Sequence, residues 1–337
     1  MNLSGIIKSN RSRSSSSTPF TPQHQQIPRD QFPLFHPDPL ALIDIPWHAS
    51  YTRSPAQHHP ELDLFLRYAL DQAYQWTTAH MPWSSASSTS HRVAGSAAAV
   101  QVCRHLSRFR PYKERREQRG PCAEHWFGRR SVHEDAARTG TASFAELRRV
   151  LKDRHAEMEL RYHPDVVGAT RVTTYEAASS RAAVGGGWTE ATACVNTLTH
   201  KYPLCTARRY TVLEITASLP PGQPPDDPPG FIVLQLPLCP ADFPSSGLAD
   251  ARDYVFANYV SIEMVRCLHA DASAGPRLEW TMATSGQACG WIPESVQRSW
   301  SLGGVPKQIV KDVGFVLQYL AGERDKKNGD LVVPASG

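Results

Sequence analysis

Apolar residues recur at helical spacing most clearly between Val305 and Gly322. At ~100° per residue, Val305, Ile309, Val313, Val316 and Leu320 fall on one face, with Val310 and Leu317 beside them. Lys307, Lys311, Gly314 and Gln318 fall opposite. Pro306 suits a first helical turn, where its missing N–H would have no partner anyway. Gly322 suits the position just past a helix end. Such a helix must bury its stripe against another element.

Two further stretches carry the same period. Glu61 to His80 places Leu62, Phe65, Leu66, Ala69, Ala73 and Trp76 at spacings of three and four. In FAELRRVLKDRHAEMELRY, Phe144, Leu147, Leu151, His155 and Met158 lie near one face. Ser143 followed by Glu146 fits a capping box, and Pro164 ends that helix.

The remainder of the second half reads as strands. EHWFGRRSVH is followed by VVGATRVTTYE and WTEATACVNTLT, joined by Gly185, Gly186 and Gly187 as a hairpin. RRYTVLEITASL, FIVLQLPL, DYVFANYVSIEMVRCL and RLEWTMATS follow. Alternation puts Tyr254, Phe256, Val260, Ile262 and Met264 on one face with Asn258, and Leu278, Trp280 and Met282 on one face. Strand after strand without intervening helices predicts an antiparallel sheet in an α+β fold, with helices packed on it.

Composition limits how much of the chain is core. Of 337 residues, 41% are hydrophobic and 20% charged, and 27 are proline. This predicts one domain of about 200 residues with disordered flanks. Residues 1–60 form a disordered Ser/Pro-rich tail. Residues 61–121 are an N-terminal helix and a linker, Ser-rich from Ser84 to Ser96 and basic from Arg108 to Arg119. Residues 122–322 are the domain, and 323–337 a second disordered tail. The net charge of +4 permits attraction to an acidic membrane surface but does not argue for nucleic acid. Seven cysteines without a spacing rule, and a start lacking a continuous apolar run, predict an intracellular, cytoplasmic location without a signal peptide. No run approaches the ~18 apolar residues of a membrane span.

Candidate chemistry is sparse. The sequence contains no nucleophile elbow, no dinucleotide fingerprint and no phosphate loop; Gly303-Gly304-Val305-Pro306-Lys307 is too short for the last. Cys122, His125 and His133 lack a fourth metal ligand. The expectation is therefore no enzyme, no metal and no cofactor. Arg129-Arg130-Ser131-x-His133 is the most distinctive polar cluster. Period two sends Arg129, Ser131 and His133 to one face and Arg130 to the other. One arginine faces solvent; the other enters the interior and needs a carboxylate, because an unpaired buried charge is costly. His133 and Glu134 read as strand-end surface residues.

LEWTMATSGQACGWIPESVQRSWSLGGVPKQIVKDV resembles the end of START-like domains, where a last strand leads through a Gly-Trp-Ile-Pro-type turn to a terminal helix. EHWFGRRSVHEDAARTGTASFAELRRVLKDRHAEMELRYHPDVVGA, THKYPLCTARRYTVLEITA, FIVLQLPL and YVSIEMVR are similar to segments of a fungal START-like family labelled domain of unknown function 3074. The resemblance runs collinearly from Cys122 to Gly322. It implies a helix-grip fold, a curved antiparallel sheet whose C-terminal helix lids a cavity for a lipid, sterol or other hydrophobic ligand. Phe256, Asn258, Ile262, Trp280, Met282, Ile309, Val313 and Val316 would line that cavity, with Arg129, Arg209 or Asn258 at its polar end. Arg208, Arg209 and Tyr210 stand where the wider family carries Arg-Asp-Phe, so Arg209 replaces the acid. Leu213, Ile215 and Ala217 suggest that the odd face is inward, which aims Arg209 at the mouth. Gly303 and Gly304 are hinge candidates. Two alternatives remain: an interaction module with a filled core, in which the same residues touch one another, and an enzyme acting inside the cavity.

Overall fold

The computed structural model describes residues 34–51, 58–83, 88–109, 122–175, 184–203, 205–221, 229–243, 253–271 and 275–330. Strands β1 Thr89–His91, β2 Val100–Phe109, β3 Cys122–Glu134, β4 Val166–Tyr175, β5 Thr189–His200, β6 Ala207–Ser218, β7 Gly230–Pro237, β8 Tyr254–Phe256, β9 Asn258–Asp271 and β10 Gly275–Gln287 form one sheet. Its order is β1-β2-β3-β10-β9-β7-β6-β5-β4. Pairing is antiparallel along this path, and β8 adds to β6 in parallel. The helices are α1 Leu62–Gln75, α2 Phe144–Leu147, α3 His155–Tyr162, α4 Glu294–Gln297 and α5 Val305–Asp330.

One sheet serves two cores. On its inner face Arg129, Met282, Glu263 and Val233 stand in one row, and Ser131, Trp280, Val265 and Phe231 in the next. Here Val233, Val265, Leu278 and Trp280 pack against Leu147, Leu151 and Met158, and against Val310, Val313, Val316, Leu317 and Leu320 of α5. The outer row is Ala283, Ile262, Leu234, Ile215 and Ala193, covered by Phe65, Leu66, Ala69 and Leu70 of α1. With a curved antiparallel sheet held between helices and the long C-terminal helix α5 across its inner face, this is the α+β, START-like helix-grip fold that the strand and helix patterns lead to.

The element before β4 is less regular than its pattern predicts. The capping box forms: the Ser143 and Glu146 side chains each take the other's backbone N–H. A π-helical turn, Arg148–Asp153, then follows α2, and Arg154 breaks the helix at φ −143° before α3 begins. The break lets Leu147, Val150 and Leu151 as well as His155 and Met158 be buried.

Three boundaries differ from the sequence reading. Part of the expected 1–60 tail is structure. Leu40 bridges Leu238, its N–H reaching Pro237 O at 2.8 Å, Ile45 is buried, and the Tyr51 and Tyr175 hydroxyls meet at 2.7 Å. These residues follow no period because they dock onto a sheet already formed. Second, β1 and β2 lie within the expected 61–121 linker. Val100 and Val102 are buried on β2 while Gln101 and Arg104 are exposed, a short alternation hidden among basic residues. Most of the Arg108–Arg119 run lies outside the described residues. Third, α5 does not stop at Gly322. It continues to Asp330, into the expected 323–337 tail, and Arg324 bonds Glu146 at 2.8 Å.

The polar stripe of α5 is also partly covered. A Cβ on Gly314 would meet Ala94 O at 2.4 Å, and Gln318 donates to the same oxygen at 2.9 Å. The helix is wedged between the sheet and the turn around Val93–Gly95. Among the described residues no helix is long and apolar enough to cross a membrane.

Candidate functional site

Between the inner face and α5 lies a cavity of about 530 Å³. Its apolar wall consists of Leu151, Val233, Trp280 and Met282, then Val305, Ile309 and Val316 from α5, and Ile292, Val296 and Leu302 from the loops before it. The floor carries a buried ion pair. Arg129 Nη2 donates to Glu263 Oε1 at 2.5 Å, the Trp280 indole N–H donates to the same oxygen at 2.7 Å, and the guanidinium lies 4.4 Å from the Trp280 ring centre. Arg129 is 1% exposed, and its Nε and Nη1 have no hydrogen-bond partner among the described residues. Beside it Ser261 donates to Gln235 Oε1 at 2.9 Å, which leaves the Gln235 amide nitrogen free.

One end of the cavity is titratable and aromatic. Short helix α3 and the turn after it bring His155, Glu159, Tyr162, His163 and Asp165; β5 and the turn beyond it bring His200 and Tyr202; β6, β9 and α5 bring Tyr210, Tyr259 and Asp312. His163 Nε2 is 3.2 Å from Asp312 Oδ1, and Glu159 lies 3.8 Å from His155 and 3.9 Å from His200. Burial lowers the imidazole pKa of His200 to about 3, so it is neutral. Burial also opposes charge on His155, but Glu214, Glu159 and Glu263 outweigh it and raise its pKa. For His163 the bond to Asp312 overcomes burial in the same direction. Glu159 is raised, burial outweighing the nearby histidines. Tyr210 and Tyr259 meet edge to face at 5.0 Å.

The mouth is held by side chains rather than left loose. Gln297 accepts from Ala288 N at 2.9 Å and donates to Ile292 O at 3.0 Å, and Arg208 Nε reaches Ala288 O at 3.4 Å. A Cβ on Gly304 would meet Gln297 O at 2.3 Å. That contact makes Gly304 a packing glycine, while Gly303, with φ +81° and open surroundings, keeps the freedom of a hinge.

Of the residues chosen from sequence, Arg129, Asn258, Trp280, Met282, Ile309 and Val316 line this cavity. Val313 does not; it is fully buried in the core between α5 and the sheet. Ile262 belongs to the outer core, and Phe256 lies half-buried on β8 opposite Arg209. Arg209 stacks on Tyr254 at 3.8 Å in a separate polar depression with Lys201 and Asp253. Ile262 and Arg209 fail for one reason. On β6 and β9 the aliphatic positions face α1, and Glu214, Ser261 and Glu263 face inward. Arg130 takes the face opposite Arg129, bonded to Glu279. His133 is no surface residue; it is buried, bonds Ser131 at 2.8 Å, and burial holds its pKa near 4.

Sequence reading missed the α3 cluster, Gln235, Ser261, Glu263 and Asp312. One signal was present: TVLEIT, IVLQLP and VSIEMV each hold a lone polar residue between aliphatics. Among the described residues no group of three or more His, Cys, Asp or Glu could hold a metal ion.

The model of a family described as "Protein of unknown function (DUF3074)" matches residues 126–320. No curated protein matches the chain. Among solved structures, the crystal structure of human STARD10 is similar at 16% identity and a TM-score of 0.43, over 84% of this chain and 89% of that one. The crystal structure of Ara h 8.0201 is similar at 9% identity and a TM-score of 0.26, over 60% of this chain and 98% of that one.

Proposed function

The chain belongs to the DUF3074 family of proteins of unknown function, and on that premise we propose that it binds one amphipathic lipid, sterol or other hydrophobic molecule in the cavity under α5. The observation that carries this is the cavity itself: about 530 Å³, within the range of small-molecule sites, with an apolar wall and convergent polar groups at the floor and one end. Burying apolar ligand surface against Met282, Ile309 and Val316 stabilises the complex by ~25 cal/mol per Å². The free N–H groups of Arg129 and Gln235 orient the polar end, since a buried donor without a partner favours an acceptor placed beside it. Enclosure is the activity, with no bond made or broken and no cofactor needed.

The experiment is extraction and mass spectrometry of the purified chain, with Met282→Trp beside it. A stoichiometric hydrophobic molecule in wild type, absent from a variant that keeps its melting temperature, supports the reading. No ligand, with a variant that melts early, leaves an interaction module with a filled core.

A second reading is favoured by His155, Glu159, His163, His200 and Asp312, because shifted titratable groups converging in a cleft can carry acid–base chemistry. The two readings separate on the fate of the ligand. Binding returns it with unchanged mass; an enzyme returns a product whose formation stops in Glu159→Gln.

A further inference from the structure

Trp291 is 69% exposed and Leu302 is 65% exposed, and both stand at the cavity mouth, Trp291 beside the lining residue Ile292 and Leu302 lining it directly. Exposure here does not come from a loose loop. The turn carrying Trp291 is pinned by Gln297 on both sides and by Arg208 below, and the turn carrying Leu302 is closed by Gly303 N to Trp300 O at 3.1 Å and Gly304 N to Ser299 O at 2.8 Å. A large indole held outward by a braced turn loses the stabilisation that burial would give it. Nothing in the fold of the turn requires that residue: Gly290 supplies the positive φ of +65°, and the bracing bonds go to the backbone. The rim around these residues is basic. Arg298 pairs with Glu294 and His163 with Asp312, so Lys201, Lys307 and Lys311 stand against Asp165.

We propose that the mouth of the cavity, led by Trp291 and Leu302 and ringed by Lys201, Lys307 and Lys311, docks on the interface of an acidic lipid bilayer. The indole suits that interface, its ring in the boundary layer and its N–H towards water. The lysines draw the face to anionic headgroups over a Debye length. Docking this way round sets the opening between Ile292, Leu302 and Gly303 against the membrane, so a hydrophobic ligand can pass between bilayer and cavity without crossing water. The inference deepens the ligand reading but is measured without any ligand.

The full chain is sedimented with vesicles of phosphatidylcholine, with and without phosphatidylserine, over a range of salt. Wild type is expected to bind the phosphatidylserine vesicles, more weakly as salt rises. Trp291→Ser combined with Leu302→Ser should lose affinity about tenfold or more, while Leu64→Ser, which removes an equally exposed residue from α1 on the outer face, should lose none. A double variant that binds as well as wild type overturns the proposal, as does a wild-type chain that stays in the supernatant. A dimer in sedimentation velocity that the double variant abolishes assigns the patch to a second copy and overturns it too. The double variant should retain the wild-type extract in mass spectrometry. If it is empty as well as unbound, the two residues belong to the cavity and the docking surface is overturned.

Discussion

Arg129 and Glu263 meet at 2.5 Å although a whole strand separates theirs: β10 lies between β3 and β9, and the guanidinium crosses it above Trp280. Both side chains are nearly fully buried, at 1% and 7% exposure. Breaking such a pair leaves a buried charge alone. Arg129→Met is expected to lose about 3–5 kcal/mol in urea unfolding. Adding Glu263→Gln should recover part of that loss, so the double variant falls well short of the sum. Strict additivity would show that the two side chains act independently.

The two glycines of α5 should respond in opposite ways to alanine. Propensity favours alanine in a helix interior by about 1 kcal/mol. Gly322 has nothing within 4 Å of the place a Cβ would take, so Gly322→Ala should raise the melting temperature. At Gly314 a Cβ would stand 2.4 Å from Ala94 O and 2.9 Å from Val93 Cγ2, and Gly314→Ala should lower it, by about 1–3 kcal/mol of overpacking. Thermal unfolding of the pair reads both signs.

Val313 is fully buried and Lys311 stands at the cavity rim. Val313→Asp is expected to unfold the chain or destabilise it by several kcal/mol, because a carboxylate has no partner there. Lys311→Asp should leave the melting temperature nearly unchanged. Equal melting points would place the wrong face of α5 on the sheet.

The contact between His163 and Asp312 ties α3 to the lid helix and should be pH-dependent. The folded pKa of His163 is raised, burial opposing the shift and Asp312 driving it. Its stabilisation is therefore complete below the unfolded value of about 6.5 and disappears as pH rises through the folded value. The melting temperature of Asp312→Asn should fall short of wild type most at about pH 6, and the gap should close towards alkaline pH. The neutral, buried His133 and His200 destabilise the fold as pH falls below about 6.5, but both are present in wild type and variant alike. A gap that widens with rising pH would place the charge elsewhere.

What could be read from sequence followed from how many faces of an element are covered. On α5 the apolar stripe was legible, and its Ile309 and Val316 line the cavity. Trp280 and Met282 reach it as well, because the large side chains of β10 do point inward. On β9 both faces are buried, so Val260, Ile262 and Met264 mark the outer core, and the polar residues between them, which resemble a solvent face, line the cavity. In β7 every residue is buried and no alternation remains to read. Leu40, Ile45 and Tyr51 gave no signal at all, since their burial depends on a surface assembled from β4 and β7 far along the chain.

The outer cover of the sheet sets how little of the chain can exist alone. Recognisable kinship spans 126–320, and a fragment cut to those limits would lack the segment around Leu40, α1 and β2. Ile215, Ile232, Leu234 and Ile262 would then face water as one continuous oily sheet, beside a bare β3 edge ready to pair with the next molecule. A gene fragment trimmed to the shared region is expected to yield aggregate, and one that keeps residues from 34 onward to yield soluble protein.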